Sequence, residues 1–263
     1  MIFDTHAHYD DEKYNEDREE VLLSLAGKNV GRVVNIGASF EGAIASAELA
    51  KKYDFVYAAV GIHPDDVGVL NEDVMARISA LADEEKTVAI GEIGLDYHWL
   101  VESRETQKYW FERQMELAVE KDLPIIIHSR DACEDTMELM KKAHEKYGDK
   151  HKGIVHCFSY SAEIAKEYVK MGFYIGVGGV ATFKNGKKLK EVIAAVPLEK
   201  IVLETDCPYL APEPFRGQRN SSDLIKYVVP VVAGIKGVTE EEVERITWDN
   251  ACKVYGLADQ KGA

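Results

Sequence analysis

Eight apolar, β-branched runs alternate with amphipathic stretches along almost the whole chain, at positions 2–8, 32–38, 55–63, 87–95, 124–128, 153–157, 173–179 and 201–205. Strands separated by helices run parallel, because each crossover returns the chain to the edge it left. Roughly eight such units predict an α/β fold, a (β/α)8 TIM-type barrel, with an open doubly wound sheet as the structural alternative. The clearest helices fall at 104–121 and 131–147. In the second, Cys133, Met137, Met140, His144 and Tyr147 recur at steps of four and three, marking one buried face. From Asn220 onward two further helices are expected, with a turn near Gly234–Gly237 and a capping box spanning Thr239 to Glu242.

No Pro/Gly/Ser-rich linker or short repeat interrupts this alternation, so residues 1–263 are expected to form a single barrel domain. The longest apolar runs are too short to span a membrane. The opening Met1-Ile2-Phe3-Asp4-Thr5-His6 lacks a basic flank and an apolar core, so a cytoplasmic location is expected. Cys133, Cys157, Cys207 and Cys252 lie far apart with no C-x-x-C pair, which fits reduced thiols. A monomer is expected, since no long exposed apolar stripe is evident. The formal net charge of −14 argues against a protein that coats nucleic acid nonspecifically. It leaves room for a nuclease, because a few local cations and metal ions can hold an anionic strand end.

The strongest local chemical feature is Asp4-Thr5-His6-Ala7-His8. Residues two apart on a strand face the same side, so both imidazoles can share a metal. Further ligand types close the later runs. Glu92 sits in the apolar Ala89–Asp96 stretch, His128 follows Pro124–Ile127, His156 follows Gly153–Val155, and Asp206 follows Ile201–Thr205. The C-terminal ends of barrel strands are where barrel active sites are built. Four imidazoles and two carboxylates suit Zn²⁺, Mn²⁺ or Fe better than an all-oxygen Ca²⁺ site, with Mg²⁺ able to serve beside phosphate and water. Six ligands exceed the needs of one tetrahedral ion, so two divalent ions bridged by Glu92 are expected.

The ordered series Asp4-x-His6-x-His8-x-Asp10, Gly61-Ile62-His63-Pro64, Gly91-Glu92-Ile93-Gly94-Leu95-Asp96-Tyr97, Pro124-Ile125-Ile126-Ile127-His128-Ser129-Arg130, His156-Cys157-Phe158-Ser159 and Glu204-Thr205-Asp206-Cys207-Pro208-Tyr209-Leu210 resembles the TatD family, within the wider amidohydrolase superfamily. That resemblance implies a metallo-dependent hydrolase, a deoxyribonuclease often described as a 3′-to-5′ exonuclease, with His6, His8, Glu92, His128, His156 and Asp206 as metal ligands. It also implies DNA as partner, single-stranded or at 3′ ends. Some relatives have been linked to D-aminoacyl-tRNA deacylation, so an ester or amide substrate is the alternative. Cys207 stands where Ser is usual in the family, and Arg216-Gly217-Gln218-Arg219-Asn220-Ser221-Ser222 replaces a more typical R-G-x-x-N-E-P; neither touches an expected ligand.

For mechanism, His6, His8, Glu92 and Asp206 are assigned to one ion, and Glu92, His128 and His156 to the other. Asp206 is the expected acceptor of the attacking water's proton. His63, in its Gly-Ile-His-Pro turn, is expected to meet substrate or leaving group, and Arg130, Arg216 and Arg219 to present bidentate donors to phosphate. Cys157 and Cys207, each following a ligand, are read as packing residues. The rival classes are a small-molecule amidohydrolase with the same ligands and a noncatalytic binding protein.

Overall fold

The computed structural model describes residues 1–258; positions 259–263 of the expected domain lie outside the described residues. Eight parallel strands form a nearly closed barrel with helices between them, in the order in which they occur along the chain. They are β1 (Ile2–Ala7), β2 (Val30–Ile36), β3 (Val56–Val60), β4 (Thr87–Asp96), β5 (Ile125–Arg130), β6 (Gly153–Val155), β7 (Tyr174–Val177) and β8 (Ile201–Leu203). The helices are α1 (Arg18–Leu25), α2 (Phe40–Lys52), α3 (Glu72–Ala82), α4 (Arg104–Glu120), α5 (Cys133–Tyr147), α6 (Ala162–Lys170), α7 (Lys187–Ala195), α8 (Val229–Lys236) and α9 (Glu240–Tyr255). No helix among the described residues is long and apolar enough to cross a membrane.

Local chemistry explains where the helices begin. Ser39, Asn71, Ser103, Ser161 and Thr239 each accept a backbone N–H of the first turn through a side-chain oxygen, and Thr239 with Glu242 completes the expected capping box. The turn between the last two helices falls at Gly237, which takes the left-handed conformation at φ 68°. The face of α5 is displaced from expectation. Thr136, Met137, Leu139, Met140 and Ala143 are its buried residues, while Cys133, His144 and Tyr147 are only half-buried.

Strands β6 and β8 stop earlier than the apolar runs suggest, and the backbone beyond them enters the left-handed region at Cys157 (φ 44°) and Asp206 (φ 58°). His156 and Asp206 therefore stand just past strand ends, on the turns.

By chain contacts the structure divides into two compact units, Asn35–Val155 and a second made of Met1–Val34 with the described residues of His156–Ala263. In the discontinuous unit, β1 and the segment after β8 are joined by the parallel bridge Ala7–Cys207 and by hydrogen bonds from Asp206 N to His6 O (2.9 Å) and from His8 N to Cys207 O (2.8 Å). Helix α9 lies on β1 and β8: Asn250 donates to Leu198 O and Ile201 O, Tyr255 donates to Thr5 O, and Trp248 and Tyr255 pack on Phe3. In the continuous unit, β4 is buried along all ten residues. There Gly94 has φ 149°, and a Cβ at that position would lie 1.9 Å from His128 O, so only glycine lets β4 run this close to β5.

Candidate metal centre

In the discontinuous unit, His6, His156 and Asp206 form one group whose ligand atoms all lie within 4.8 Å of one another. His6 stacks on His156 with ring centroids 3.7 Å apart, and its Nε2 is 3.1 Å from Nε2 of His8. Asp206 Oδ1 lies 3.4 Å from His8 Nε2 and 3.8 Å from His6 Nε2. Burial raises the Asp206 carboxyl, but the hydrogen bond with His8 and the charges of His156, His8 and His6 outweigh it and hold the group below the usual carboxylate range. Asp206 occupies a left-handed backbone conformation, an unfavourable one for a non-glycine residue, and is pinned there by the hydrogen bonds from its own N–H to His6 O and from Tyr209 N to its carbonyl.

A buried carboxylate, Asp4, sets the spacing of this group. Its Oδ1 accepts from Thr205 N (3.0 Å) and His6 N (3.2 Å), and its Oδ2 accepts from Thr205 Oγ1 and Ser222 Oγ, both at 2.6 Å. Burial pushes Asp4 up to about 7 against the pull of those four bonds. Glu204, 1% exposed, accepts the Cys157 N–H at 2.6 Å through Oε1, and the same oxygen is 3.6 Å from His156 Nδ1.

In the continuous unit, His63, Glu92 and His128 form a second group, and His63, Asp65 and Asp96 a third. His128 Nδ1 is 2.8 Å from Glu92 Oε1 and its Nε2 is 3.1 Å from Asp96 Oδ2; His63 Nε2 is 3.9 Å from Glu92 Oε1. Burial raises Asp96, but hydrogen bonds from His128 and from the Trp99 and His98 amides, with the charge of His128, bring it down to about 2. Burial, then the charge of Asp96, pushes Asp65 up. Two buried glutamines of α4 hold the backbone beneath these groups. Gln114 pairs with both N–H (2.8 Å) and C=O (3.1 Å) of Ile62, and Gln107 does the same for Asp96, at 2.9 Å each.

The donor chemistry fits divalent metal. Within each unit imidazole nitrogens and carboxylate oxygens cluster where water is largely excluded, with His6 at 1% and His156 at 7% exposure in one and Glu92 at 4% in the other. Five of the six expected ligands fall in these groups and His8 lies beside His6 and Asp206, although His156, expected with Glu92 and His128, stands with His6 and Asp206. Asp4, Asp65, Asp96, Glu204, Gln107 and Gln114 were not singled out in the sequence.

The other expected residues are distributed differently. Arg130 ends β5 with Cζ 5.5 Å from the Trp99 ring, and Arg216 lies over Phe183 at 4.2 Å. Arg219 is engaged by Asp17 in a two-pronged ion pair at 2.8 and 2.5 Å, donates to Lys13 O and covers Tyr14. Cys207 packs as expected; burial and then the Asp4 charge push its thiol up to about 12, so it stays neutral. Cys157 does not pack fully and lines a cavity with Asp206.

A parallel barrel with imidazole and carboxylate groups carried on its strands and on the turns that follow them is the architecture of a metal-dependent hydrolase. The sequence matches the description "TatD related DNase" over residues 3–256. It is 46% identical over 257 residues to the uncharacterized metal-dependent hydrolase YabD of Bacillus subtilis, covering 98% of this chain and 100% of that one. It is 30% identical to the 3′-5′ ssDNA/RNA exonuclease TatD of Cronobacter sakazakii, covering 97% of each. The solved structure of the Escherichia coli TatD homolog YJJV superposes with a TM-score of 0.90 at 29% identity, covering 98% of both chains. The chain belongs to the TatD family of metal-dependent hydrolases.

Proposed function

We propose that the protein hydrolyses phosphodiester bonds of DNA, as a 3′-to-5′ exodeoxyribonuclease acting on single-stranded ends. The observation that carries this reading is the pair of imidazole–carboxylate groups, His6/His156/Asp206 and His63/Glu92/His128, in a chain similar over nearly its full length to a 3′-5′ ssDNA/RNA exonuclease. Two divalent ions, Zn²⁺, Mn²⁺ or Mg²⁺, would be held by His6, His8, His156 and Asp206 in one unit and by Glu92 and His128 in the other. Bound divalent ions supply positive charge for a phosphoryl transition state and acidify water.

The chain's own residues do the rest. Asp206, with Oδ1 3.4 Å from His8 Nε2, accepts the proton of the attacking water. His63 accepts the Asp65 N–H at Nδ1 (3.2 Å), which places the ring proton on Nε2, where it donates to a phosphate oxygen or to the departing alkoxide. Arg130 and Arg216 orient the phosphates. Arg219 would have to release Asp17 to join them.

The test is cleavage of end-labelled single-stranded DNA by metal-stripped protein titrated with Mg²⁺, Mn²⁺ or Zn²⁺, with Glu92→Ala as control. Metal-dependent stepwise shortening from the 3′ end that Glu92→Ala abolishes is the expected result. Absence of cleavage with both ions bound would overturn the nuclease reading and move the assignment to an ester or amide substrate.

A further inference from the structure

Beside Asp206 the discontinuous unit contains a cavity of ≈ 270 Å³. Ligand sites commonly run to roughly 300–1,000 Å³, so this one suits a single ring system and not a run of nucleotides. Asp206 and Cys157, which follows His156, line it, so an occupant would abut the His6/His156/Asp206 group directly.

We infer that this cavity binds the nucleobase of the terminal nucleotide whose phosphodiester is cut, an inference that rests on the nuclease reading above. Three features specify a flat heterocycle. First, much of the wall is glycine backbone, and it is glycine of necessity. A Cβ on Gly176 would lie 2.4 Å from Glu204 Oε2, and one on Gly179 would lie 2.1 Å from Leu210 O. Close chain packing there leaves flat peptide faces instead of knobbed side chains, a surface that a planar ring can cover. Second, Phe158 supplies an aromatic wall that is already fixed, being 3% exposed and set edge-to-face against Tyr160 at 6.0 Å and Tyr168 at 6.3 Å.

Third, Glu204 lines the same cavity. It is 1% exposed, and its Oε2 accepts no hydrogen bond from any described residue, although Oε1 is satisfied by Cys157 N–H. A buried carboxylate oxygen in a largely apolar wall calls for an N–H donor. Every nucleobase offers one, as an exocyclic amino group or a ring imide, so this contact selects for a base without selecting which base. Lys188 also lines the cavity and is exposed, where its ammonium meets the phosphate of the neighbouring nucleotide as the strand leaves.

The experiment compares two oligonucleotides that differ only in the terminal nucleotide, one normal and one abasic, with bis(p-nitrophenyl) phosphate as a phosphodiester that carries no base. The expected result is a drop in kcat/KM of about tenfold or more for the abasic end, the scale of one stacked base. Val180→Trp, which narrows the cavity, should bring the normal-to-abasic ratio toward one. In parallel, a deoxynucleoside 5′-monophosphate should bind the metal-loaded protein about tenfold or more tighter than 2-deoxyribose 5-phosphate by calorimetry. Equal cleavage of both oligonucleotides, or equal binding of both phosphates, would overturn the base pocket while leaving the nuclease reading intact. Failure to cleave any of the three phosphodiesters would overturn the nuclease reading and the pocket with it.

Discussion

The His128 imidazole is held between two carboxylates, with Nδ1 2.8 Å from Glu92 Oε1 and Nε2 3.1 Å from Asp96 Oδ2. Both ring nitrogens are thus oriented by anions, and Asp96 is held ionised, at about 2, by that contact. A carboxylate in this position tunes both the direction and the basicity of a ligating histidine. Asp96→Asn keeps the shape and removes the charge. It should weaken Zn²⁺ or Mn²⁺ binding by about 10- to 100-fold in calorimetric titration against a competing chelator. Unchanged affinity in a folded variant would remove Asp96 from the centre.

Removing the metal should cost stability as well as activity. An ion that binds only the folded chain stabilises it by about 4 kcal/mol when present at a thousand times its Kd. Chelation should therefore lower Tm, and re-addition should restore it. In Glu92→Gln the restored increment should shrink and phosphodiesterase activity should fall by about a hundredfold or more. A full metal-induced rise in Tm in that variant would mean that Glu92 is not a ligand.

The fold was legible because strand and helix periods alternate so regularly, and the ligands because polar residues close apolar runs at His128, His156 and Asp206. The overlooked carboxylates were within reach of the same reasoning. Asp4 precedes His6 by two, Glu204 precedes Asp206 by two, and Asp96 follows Glu92 by four, spacings that on an extended strand would put each on the side of its neighbour. Where the strands end was not legible, since the left-handed turns at Cys157 and Asp206 are imposed by contacts with distant chain. Nor were Gln107 and Gln114. On an amphipathic helix a glutamine reads as solvent-facing, and these two are buried only because distant backbone groups need their amides.

Gln114 makes that dependence measurable. Its side-chain amide satisfies both polar groups of Ile62, immediately before His63, in a fully buried setting. Gln114→Ala leaves a buried N–H and a buried C=O without partners, at about 1–3 kcal/mol each. Urea unfolding should show a loss of about 2 kcal/mol or more, and Gln114→Leu, similar in volume, should lose a comparable amount. Near-normal stability of the leucine variant would show that packing volume, and not the Ile62 clamp, is what Gln114 contributes.

His151 should make the fold sensitive to mild acid. The ring is 2% exposed, and burial, then the charge of His144, lowers its pKa from 6.5 to about 4. The unfolded chain therefore binds the proton more readily than the folded one between those two values. Stability from this group is complete above about 6.5 and is lost as pH falls through the window toward 4, reaching about 3 kcal/mol once both limits are passed. His151→Gln cannot titrate and should lose less stability over the same interval. Protonation of the candidate metal ligands weakens both proteins alike, so the difference between wild type and variant isolates His151. Urea midpoints at pH 7, 6, 5 and 4 would follow it: converging stabilities as the pH drops are expected, and a constant gap would mean that the buried ring titrates as it does in the unfolded chain.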